Sequence, residues 1–240
     1  MRILTYQQKG CMAEKKEMED RLAAGNNVLS SGFHYMETDD GGIYAVFDGV
    51  GGLAGSAFAS TTAARAITDI DAPYDPEVVR ETLREVHKDL VEYSKTATTA
   101  TGISIFGDTV HLFHIGNCRL YGLFEGYIRQ ITVDQTLYED LLNAGQSIDE
   151  IPESAKCKIN ACLGVKQEFI NQLVFENISS QYAQCQKLLM TSDGVHDHLD
   201  IETLETMLKD DASRESLQKL AESAVGNGSE DDISIMVVEK

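Results

Sequence analysis

The chain has 240 residues, which is long enough for one large domain with a substantial core. Its 39 acidic residues outnumber its 20 lysines and arginines, so the formal net charge is −19. We therefore expect no nucleic-acid partner, because phosphate backbones are bound by clustered basic residues. The excess of acid fits solubility alone or a carboxylate-rich metal site, and composition does not separate the two.

Cysteine and apolar residues indicate the compartment. The five cysteines show no CxxC spacing, and the N-terminus contains no apolar stretch long enough for a signal peptide or a membrane span. We therefore expect a cytoplasmic protein with free thiols and no membrane contact. With only three prolines and no repeat or low-complexity tract, residues 1–240 predict a single domain.

The first part of the chain predicts strands. Residues 1–36 indicate two strands, the second at about 27–36, and residues 38–42 (TDDGG) predict a hairpin turn into a returning strand at 43–47. Between the first two strands lies an acidic segment, residues 17–20 (EMED). A solvated turn is the simplest interpretation of that segment taken alone.

Two helices are predicted next. Residues 53–70 are rich in Ala, Ser, Gly and Thr, whose small side chains let a helix lie close against a sheet. The second helix has Asp75 as its N-cap and Pro76 at its first position, followed by apolar residues spaced at three and four. His87 on this helix is interpreted as a surface residue.

Residues 98–132 predict two β-hairpins in an antiparallel meander, which excludes a doubly wound parallel sheet and favours an α+β fold. A short helix at 134–144 precedes an irregular segment at 145–168, interpreted as a surface loop. The rest of the chain predicts two strands at 169–176 and 187–191, two helices at 200–209 and 213–225, and a final strand at 233–238.

Three aspartates share one local pattern. Asp48, Asp193 and Asp231 each lie where a turn meets a strongly apolar strand. Strand ends can converge at one edge of a packed sheet structure, where neighbouring carboxylates would repel each other. A hard divalent cation such as Mg²⁺ or Mn²⁺ offsets that repulsion, whereas zinc is disfavoured because no Cys/His set has suitable spacing.

Six segments in this order resemble the motifs of the PP2C-like (PPM) family of metal-dependent protein serine/threonine phosphatases. The resemblance covers nearly the whole chain. The segments are residues 17–20 (EMED) for the N-terminal acidic motif, 47–52 (FDGVGG) for DGxGG, 115–119 (IGNCR) for GDSR, 130–137 (QITVDQTL) for LTxDHSL, 189–197 (LMTSDGVHD) for SDGxxD and 231–234 (DDIS) for DNxT.

The resemblance implies an α-β-β-α sandwich of two antiparallel sheets flanked by helices, with two Mn²⁺ or Mg²⁺ ions at one end. It implies that Asp48 bridges both ions and that Asp193 and Asp231 hold the first. The Gly49 carbonyl would help to hold the second, and Glu19 would act through a metal-bound water. Attack on phosphorus by the water between the ions is the implied reaction.

Several positions of the chain depart from the family pattern. Lys15 stands where the family often has an arginine that binds the substrate phosphate, and Val50 stands where eukaryotic members have a histidine thought to act as general acid. Asn117 replaces the Asp of GDSR, which assists a third metal together with the acid matched by Asp197. We predict that any third metal is weak or absent.

The sequence supports an active protein phosphatase, with two alternatives. One is a catalytically weak or inactive PP2C-like module that binds or regulates partners, and the other is a hydrolase of small phosphoesters on another fold. The resemblance implies phosphorylated protein substrates, a cognate Ser/Thr kinase and a monomer. Residues 145–168 match the variable flap of the family, which lies near the site, so we expect substrate specificity there.

Overall fold

The apolar runs of the sequence form most of the strands. The computed structural model describes residues 1–12, 17–39, 41–72 and 74–240. The strands are β1 (Arg2–Gln8), β2 (Arg21–Ala24), β3 (Asn27–Leu29), β4 (Gly32–Glu37), β5 (Gly42–Phe47), β6 (Ala97–Thr98), β7 (Ala100–Phe106), β8 (Thr109–Ile115), β9 (Arg119–Phe124), β10 (Tyr127–Gln130), β11 (Leu163–Gly164), β12 (Val174–Asn177), β13 (Lys187–Thr191) and β14 (Ile233–Glu239).

Within the described ranges, most strands form two six-stranded antiparallel sheets. The first sheet has the order β10-β9-β13-β14-β1-β4, and the second has the order β12-β8-β7-β5-β2-β3. The strands β5 and β14 are buried along their whole length and occupy inner positions, one in each sheet. The residues directly after β5 and those directly before β14 are therefore attached to rigid backbone.

Several helices begin at a residue whose side chain caps them. Asp75 accepts a hydrogen bond from the N–H of Glu77 at 2.8 Å and Pro76 opens the second helix, as predicted. Asp200 and Ser213 cap two later helices through their side chains. The helices are α1 (Ser56–Thr68), α2 (Pro76–Glu92), α3 (Leu137–Asn143), α4 (Ser179–Gln184), α5 (Asp193–His196), α6 (Ile201–Lys209) and α7 (Arg214–Gly226).

Three apolar clusters define the layers of the fold. One lies between the sheets and includes Val46, Ile103 and Met236. In the second cluster, the apolar faces of α1 and α2 cover the second sheet, and in the third, those of α6 and α7 cover the first sheet. The result is the predicted α+β fold, an α-β-β-α sandwich. In the described part of the chain, no helix combines the length and apolar character needed to cross a membrane.

The predicted hairpin at residues 38–42 is wrong. β4 pairs with β1 in the first sheet, whereas β5 pairs with β2 and β7 in the second. The segment between β4 and β5 therefore passes from one sheet to the other. Turn residues allow either connection, and the partner strands that decide between them are distant in sequence. The predicted second strand is also divided, because β3 and β4 lie in different sheets.

The predicted surface position of His87 is also wrong. Its side chain is fully buried, and its Nδ1 accepts a hydrogen bond from the N–H of Gly164 at 3.1 Å. Its Nε2 lies 3.2 Å from the carbonyl oxygen of Gln167, which fits donation from the protonated Nε2 tautomer. The ring thus fastens α2 to β11 and to the turn that follows it, and burial lowers the pKa of His87 although the Gln167 carbonyl opposes this.

The segment at 145–168 contains short turns rather than one open loop. Two 3-10 turns, Ile148–Glu150 and Glu153–Ala155, precede β11, and a third, Gln167–Gln172, follows it. The third turn occupies much of the strand predicted at 169–176, so that strand, β12, is shorter than expected. Ala155 is fully buried, so the segment is packed on the body of the protein at this point.

Candidate metal centre

Asp48, Asp193 and Asp231 line one pocket of about 460 Å³. The pocket also contains Gly49 and Asp197 among the predicted site residues. β5 and β14 come from different sheets, and α5 begins directly after β13, so the pocket lies where strands of both sheets end. The structure thus brings together acids that are up to 183 positions apart in the sequence, as the common strand-end pattern predicted.

The backbone of Asp48 is held by the neighbouring strand. Its N–H donates to the hydroxyl of Thr99 at 3.0 Å, and its carbonyl accepts from the N–H of Thr99 at 2.8 Å and from the hydroxyl of Thr98 at 2.9 Å. These contacts fix the position from which the side chain enters the pocket.

Gly49 is required by packing as well as by its position. It forms an isolated antiparallel bridge with Thr98, and a Cβ atom at residue 49 would lie 2.7 Å from backbone atoms of Ser56 at the start of α1. Because both N–H and C=O of Asp48 face Thr98 and Thr99, the alternation of a strand turns those of Gly49 the other way. The Gly49 carbonyl therefore points to the side on which β2 pairs with β5.

Asp193 opens α5 and is held by Asn117. The Nδ2 of Asn117 donates to the Oδ2 of Asp193 at 3.0 Å. Burial, and then the neighbouring carboxylates of Asp231 and Asp197, raise the pKa of Asp193, while the Asn117 amide opposes this. The second oxygen, Oδ1, is buried and accepts no hydrogen bond from any described residue. A buried carboxylate oxygen in this state is a suitable ligand for a cation.

Asn117 lies on a tightly fixed turn between β8 and β9. Gly116 adopts a φ of +112°, and its N–H and carbonyl both bond to Gln135, each at 2.8 Å. A Cβ atom at Gly116 would lie 2.6 Å from the Thr99 side chain, so only glycine fits. Asn117 itself is 2% exposed, which gives its amide little freedom to leave Asp193.

Asp231 lies in the turn that precedes β14. Its Oδ1 accepts a hydrogen bond from the N–H of Asp232 at 2.6 Å. Its neighbour Asp232 points away from the pocket, towards the N-terminal residues Gly10 and Glu19. This turn therefore joins the two ends of the chain at the pocket.

The interpretation of residues 17–20 as a solvated turn is wrong for Asp20. This side chain is 1% exposed, and burial together with the carboxylate of Asp232 raises its pKa, although the hydroxyls of Ser234 and Ser192 favour the charged form. Sequence reasoning assigned no role to Asp20 or Asp232. The available signal was the direct attachment of Asp20 to the apolar strand β2, which predicts a buried side chain.

The other predicted residues are placed as follows. Glu19 is held beside the pocket through its backbone, because its N–H donates to Asp232 and its carbonyl accepts from the hydroxyl of Ser60 at 2.5 Å. Asp197 lies in the pocket, and burial raises its pKa although the Arg119 guanidinium opposes this. Val50 lines the pocket without a titratable group. Lys15 lies outside the described residues.

The donor set fits a hard divalent ion. Asp48, Asp193 and Asp231 supply carboxylate oxygens to one pocket, and one Asp193 oxygen is buried without a hydrogen bond from the described residues. In the described ranges, no three Asp, Glu, His or Cys side chains already converge on a single point.

Comparisons with known proteins concern the fold and the class of protein. No protein-family model matches the chain. The curated serine/threonine phosphatase Stp of Listeria monocytogenes is 26% identical over 242 residues, covering 92% of this chain and 93% of that protein. The crystal structure of Stp1 from Staphylococcus aureus has a TM-score of 0.78 at 17% identity and covers 99% of this chain and 94% of that one.

A third comparison concerns metals. The catalytic domain of the serine/threonine protein phosphatase PstP, solved in complex with two manganese ions, has a TM-score of 0.69 at 23% identity. The match covers 100% of this chain and 99% of that one. The fold of this chain is therefore one on which a two-manganese phosphatase site is built.

The sandwich of two antiparallel sheets, with an acid-lined pocket at the strand ends, is the fold of the solved serine/threonine phosphatases that the chain resembles. The relatives named serine/threonine phosphatase Stp and PstP, together with solved PPM phosphatases of the same fold, support a bacterial PP2C-like (PPM) phosphatase. The alternative of an inactive binding module has no support from these relatives, which are named as serine/threonine phosphatases.

Proposed function

We propose that this chain hydrolyses phosphoserine and phosphothreonine in proteins, with two Mn²⁺ or Mg²⁺ ions in the acid-lined pocket. The observation that supports this most is the meeting of Asp48, Asp193 and Asp231, with a buried Asp193 oxygen that accepts no hydrogen bond from the described residues. Asp193 and Asp231 would hold the first ion. Asp48 would bridge to the second, which the Gly49 carbonyl and, through water, Glu19 would also hold.

Some residues of the chain would bind the ions and the substrate phosphate, and others would orient the residues that bind them. The bound ions would supply a water nucleophile of lowered pKa and positive charge to offset that of the phosphoryl oxygens. The rigid contacts of Asp48 with Thr98 and Thr99 keep its carboxylate in place, and the Asn117 amide orients Asp193. Val50 provides no proton to the leaving group, and Lys15 is proposed to bind the substrate phosphate as a point charge.

Residues 145–168 are proposed as a variable flap within a single domain spanning residues 1–240. Cys157 and Ile159 of this segment line the same pocket as the three acids, which supports a role in substrate choice. A phosphorylated protein is the substrate class that the relatives imply. A cognate Ser/Thr kinase, a monomeric state and a cytoplasmic location remain predictions, the last in line with five free thiols.

The proposed function is tested with a phosphothreonine peptide and Mn²⁺. The wild-type chain should release inorganic phosphate only when Mn²⁺ or Mg²⁺ is present, and Asp193→Asn should abolish the release. Asp71→Asn, at an exposed position outside the pocket, is a matched control that should keep full activity. A wild-type chain that binds the peptide but releases no phosphate would show that the catalytic proposal is wrong.

A further inference from the structure

Asp232 is a buried residue that contacts two positions near the N-terminus, Gly10 and Glu19. It is 1% exposed. Its Oδ1 accepts a hydrogen bond from the N–H of Gly10 at 2.8 Å, and its Oδ2 accepts one from the N–H of Glu19 at 2.6 Å. One side chain thus fixes two backbone positions that are more than 200 residues away in the sequence.

The surrounding backbone is packed closely enough to keep these bonds in place. A Cβ atom on Gly10 would lie 2.3 Å from the carbonyl oxygen of Glu230, and the N–H groups of Cys11 and Met12 both donate to that oxygen, at 3.0 and 3.1 Å. On the other side, the hydroxyl of Ser60 donates to the Glu19 carbonyl. Glu19 is therefore held at its N–H by the turn before β14 and at its carbonyl by α1.

The chemistry of this contact requires a carboxylate. Each of the two N–H donors faces a different oxygen of Asp232. An asparagine has one acceptor oxygen, so its NH₂ group would face one of the N–H donors and that bond would be lost. The DNxT motif has asparagine at this position, so the carboxylate is a feature of this chain rather than of the pattern it resembles.

A buried charge beside other acids is unfavourable unless it serves a structural or functional purpose. Asp232 follows Asp231, a proposed ligand of the first ion, and holds Glu19, which is proposed to act on the second ion through water. Groups that orient the ligands of a metal govern its affinity even though they do not touch it.

We propose that Asp232 is a positioning residue that holds Glu19 beside Asp231 and thereby sets the affinity of the second divalent ion. This inference rests on the proposed metal-dependent function. It assigns to Asp232 no direct contact with an ion or with the substrate, because its two oxygens are engaged by Gly10 and Glu19.

The test is a titration of Mn²⁺ into the whole chain by calorimetry. Glu19→Gln first identifies which binding event depends on Glu19. Asp232→Asn, which has the same shape, should weaken that event about tenfold to a hundredfold and leave the other nearly unchanged. In activity assays, the Mn²⁺ concentration for half-maximal rate should rise correspondingly, while the rate at saturating Mn²⁺ stays close to that of the wild type.

Asp75→Asn is the matched control, because Asp75 also accepts a backbone N–H at 2.8 Å but lies at the start of α2, outside the pocket. It should leave both binding events unchanged. Combining Asp232→Asn with Glu19→Gln should produce a loss smaller than the product of the single losses, since both act on one ligand. If Asp232→Asn fails to fold, Ser60→Ala, which frees the Glu19 carbonyl, should weaken the same event.

The proposal is overturned if Asp232→Asn leaves the Glu19-dependent event unchanged, or weakens both events equally as a simple loss of charge would. If the variant does not fold, an unchanged event in Ser60→Ala overturns it. A failure of the proposed function is distinguishable, because a wild-type chain that binds two Mn²⁺ ions without releasing phosphate would still allow the titration to judge Asp232.

Discussion

The two ends of β14 place carboxylates in opposite environments. At its far end, Glu239 accepts a hydrogen bond from the N–H of Ala212 at 3.0 Å and forms ion pairs with Lys187 at 2.9 Å and Arg2 at 2.5 Å. Burial alone would raise the pKa of Glu239, but Ala212, Lys187 and Arg2 together outweigh it and hold the pKa below its ordinary value. At the near end, burial and neighbouring acids raise the pKa of Asp193 beside Asp231.

Within one sheet, the carboxylate at the far end of β14 therefore serves stability, and the carboxylates at the near end are arranged for function. A carboxylate that is matched by an ammonium and a backbone N–H stabilises the folded chain by itself. A carboxylate whose pKa is raised by burial and by neighbouring acids, as at Asp193, is destabilising until a cation is bound. The near end of β14 therefore has the electrostatics of a binding site, and the far end has those of a structural ion pair.

The largest expected effect is that of Asp193→Asn, which removes a ligand from the near end. Phosphatase activity should fall about 10³-fold, because losing an ion removes several kcal/mol of transition-state stabilisation. The metal-free chain should instead gain about 1 kcal/mol in its free energy of unfolding, because a buried and repelled charge is neutralised. Activity assays and urea unfolding in chelator measure the two effects, and a metal-free chain that loses stability contradicts the comparison.

Glu239→Ala should have the reverse pattern at the far end. We expect the free energy of unfolding to fall by about 3 kcal/mol, since the charge of Lys187 loses its partner, while kcat/KM per folded molecule is unchanged. Because the pKa of Glu239 is lowered, its stabilisation is present above its ordinary pKa of 4.5 and is lost as the pH falls through the folded value. The stability difference between wild type and Glu239→Gln should therefore shrink in acid.

Adding metal should stabilise only the near end. At a Mn²⁺ concentration of about 100 times Kd, mass action contributes about 2.7 kcal/mol to folding. For a chain of this length, the melting temperature should rise by roughly 5–10 °C. The shift should persist in Glu239→Ala and be lost or much reduced in Asp193→Asn, as differential scanning fluorimetry can show. Equal shifts in both variants would contradict the division between the two ends.

The smallest expected effect is that of Asn117→Asp, which places an extra carboxylate within hydrogen-bonding distance of Asp193. The metal-free chain should lose about 1–2 kcal/mol, because an attractive contact of 3.0 Å becomes a repulsive one. Calorimetry should detect a third Mn²⁺ that the wild-type chain binds weakly or not at all. Asn160→Asp is the matched control, since the Asn160 amide also donates to a carboxylate, that of Asp140. If the Asn117→Asp chain binds the same number of Mn²⁺ ions as the wild type, residue 117 does not control the binding of a third ion.

The pocket acids could be found in the sequence because their signal is local. Asp48 follows the wholly buried β5, Asp193 follows β13 and Asp231 precedes β14, so each apolar run marks the position of its acid. Asp232 could not be found in this way, because both of its donors, Gly10 and Glu19, lie at the opposite end of the chain. His87 was missed although it lies on the buried face of α2, four residues after Leu83 and three before Leu90, because its partner in β11 is 77 residues away in the sequence.

The sequence by itself determined the helix caps, the apolar strands and the acids at their ends, because each depends on residues within one or two turns of the chain. The tertiary structure alone decided that β4 and β5 belong to different sheets and that the ends of β5, β13 and β14 share a pocket. It also decided that Asp232, next to Asp231, holds the backbone of Glu19. Such outcomes depend on which distant surfaces pack together, and alternation and turn chemistry do not carry that information.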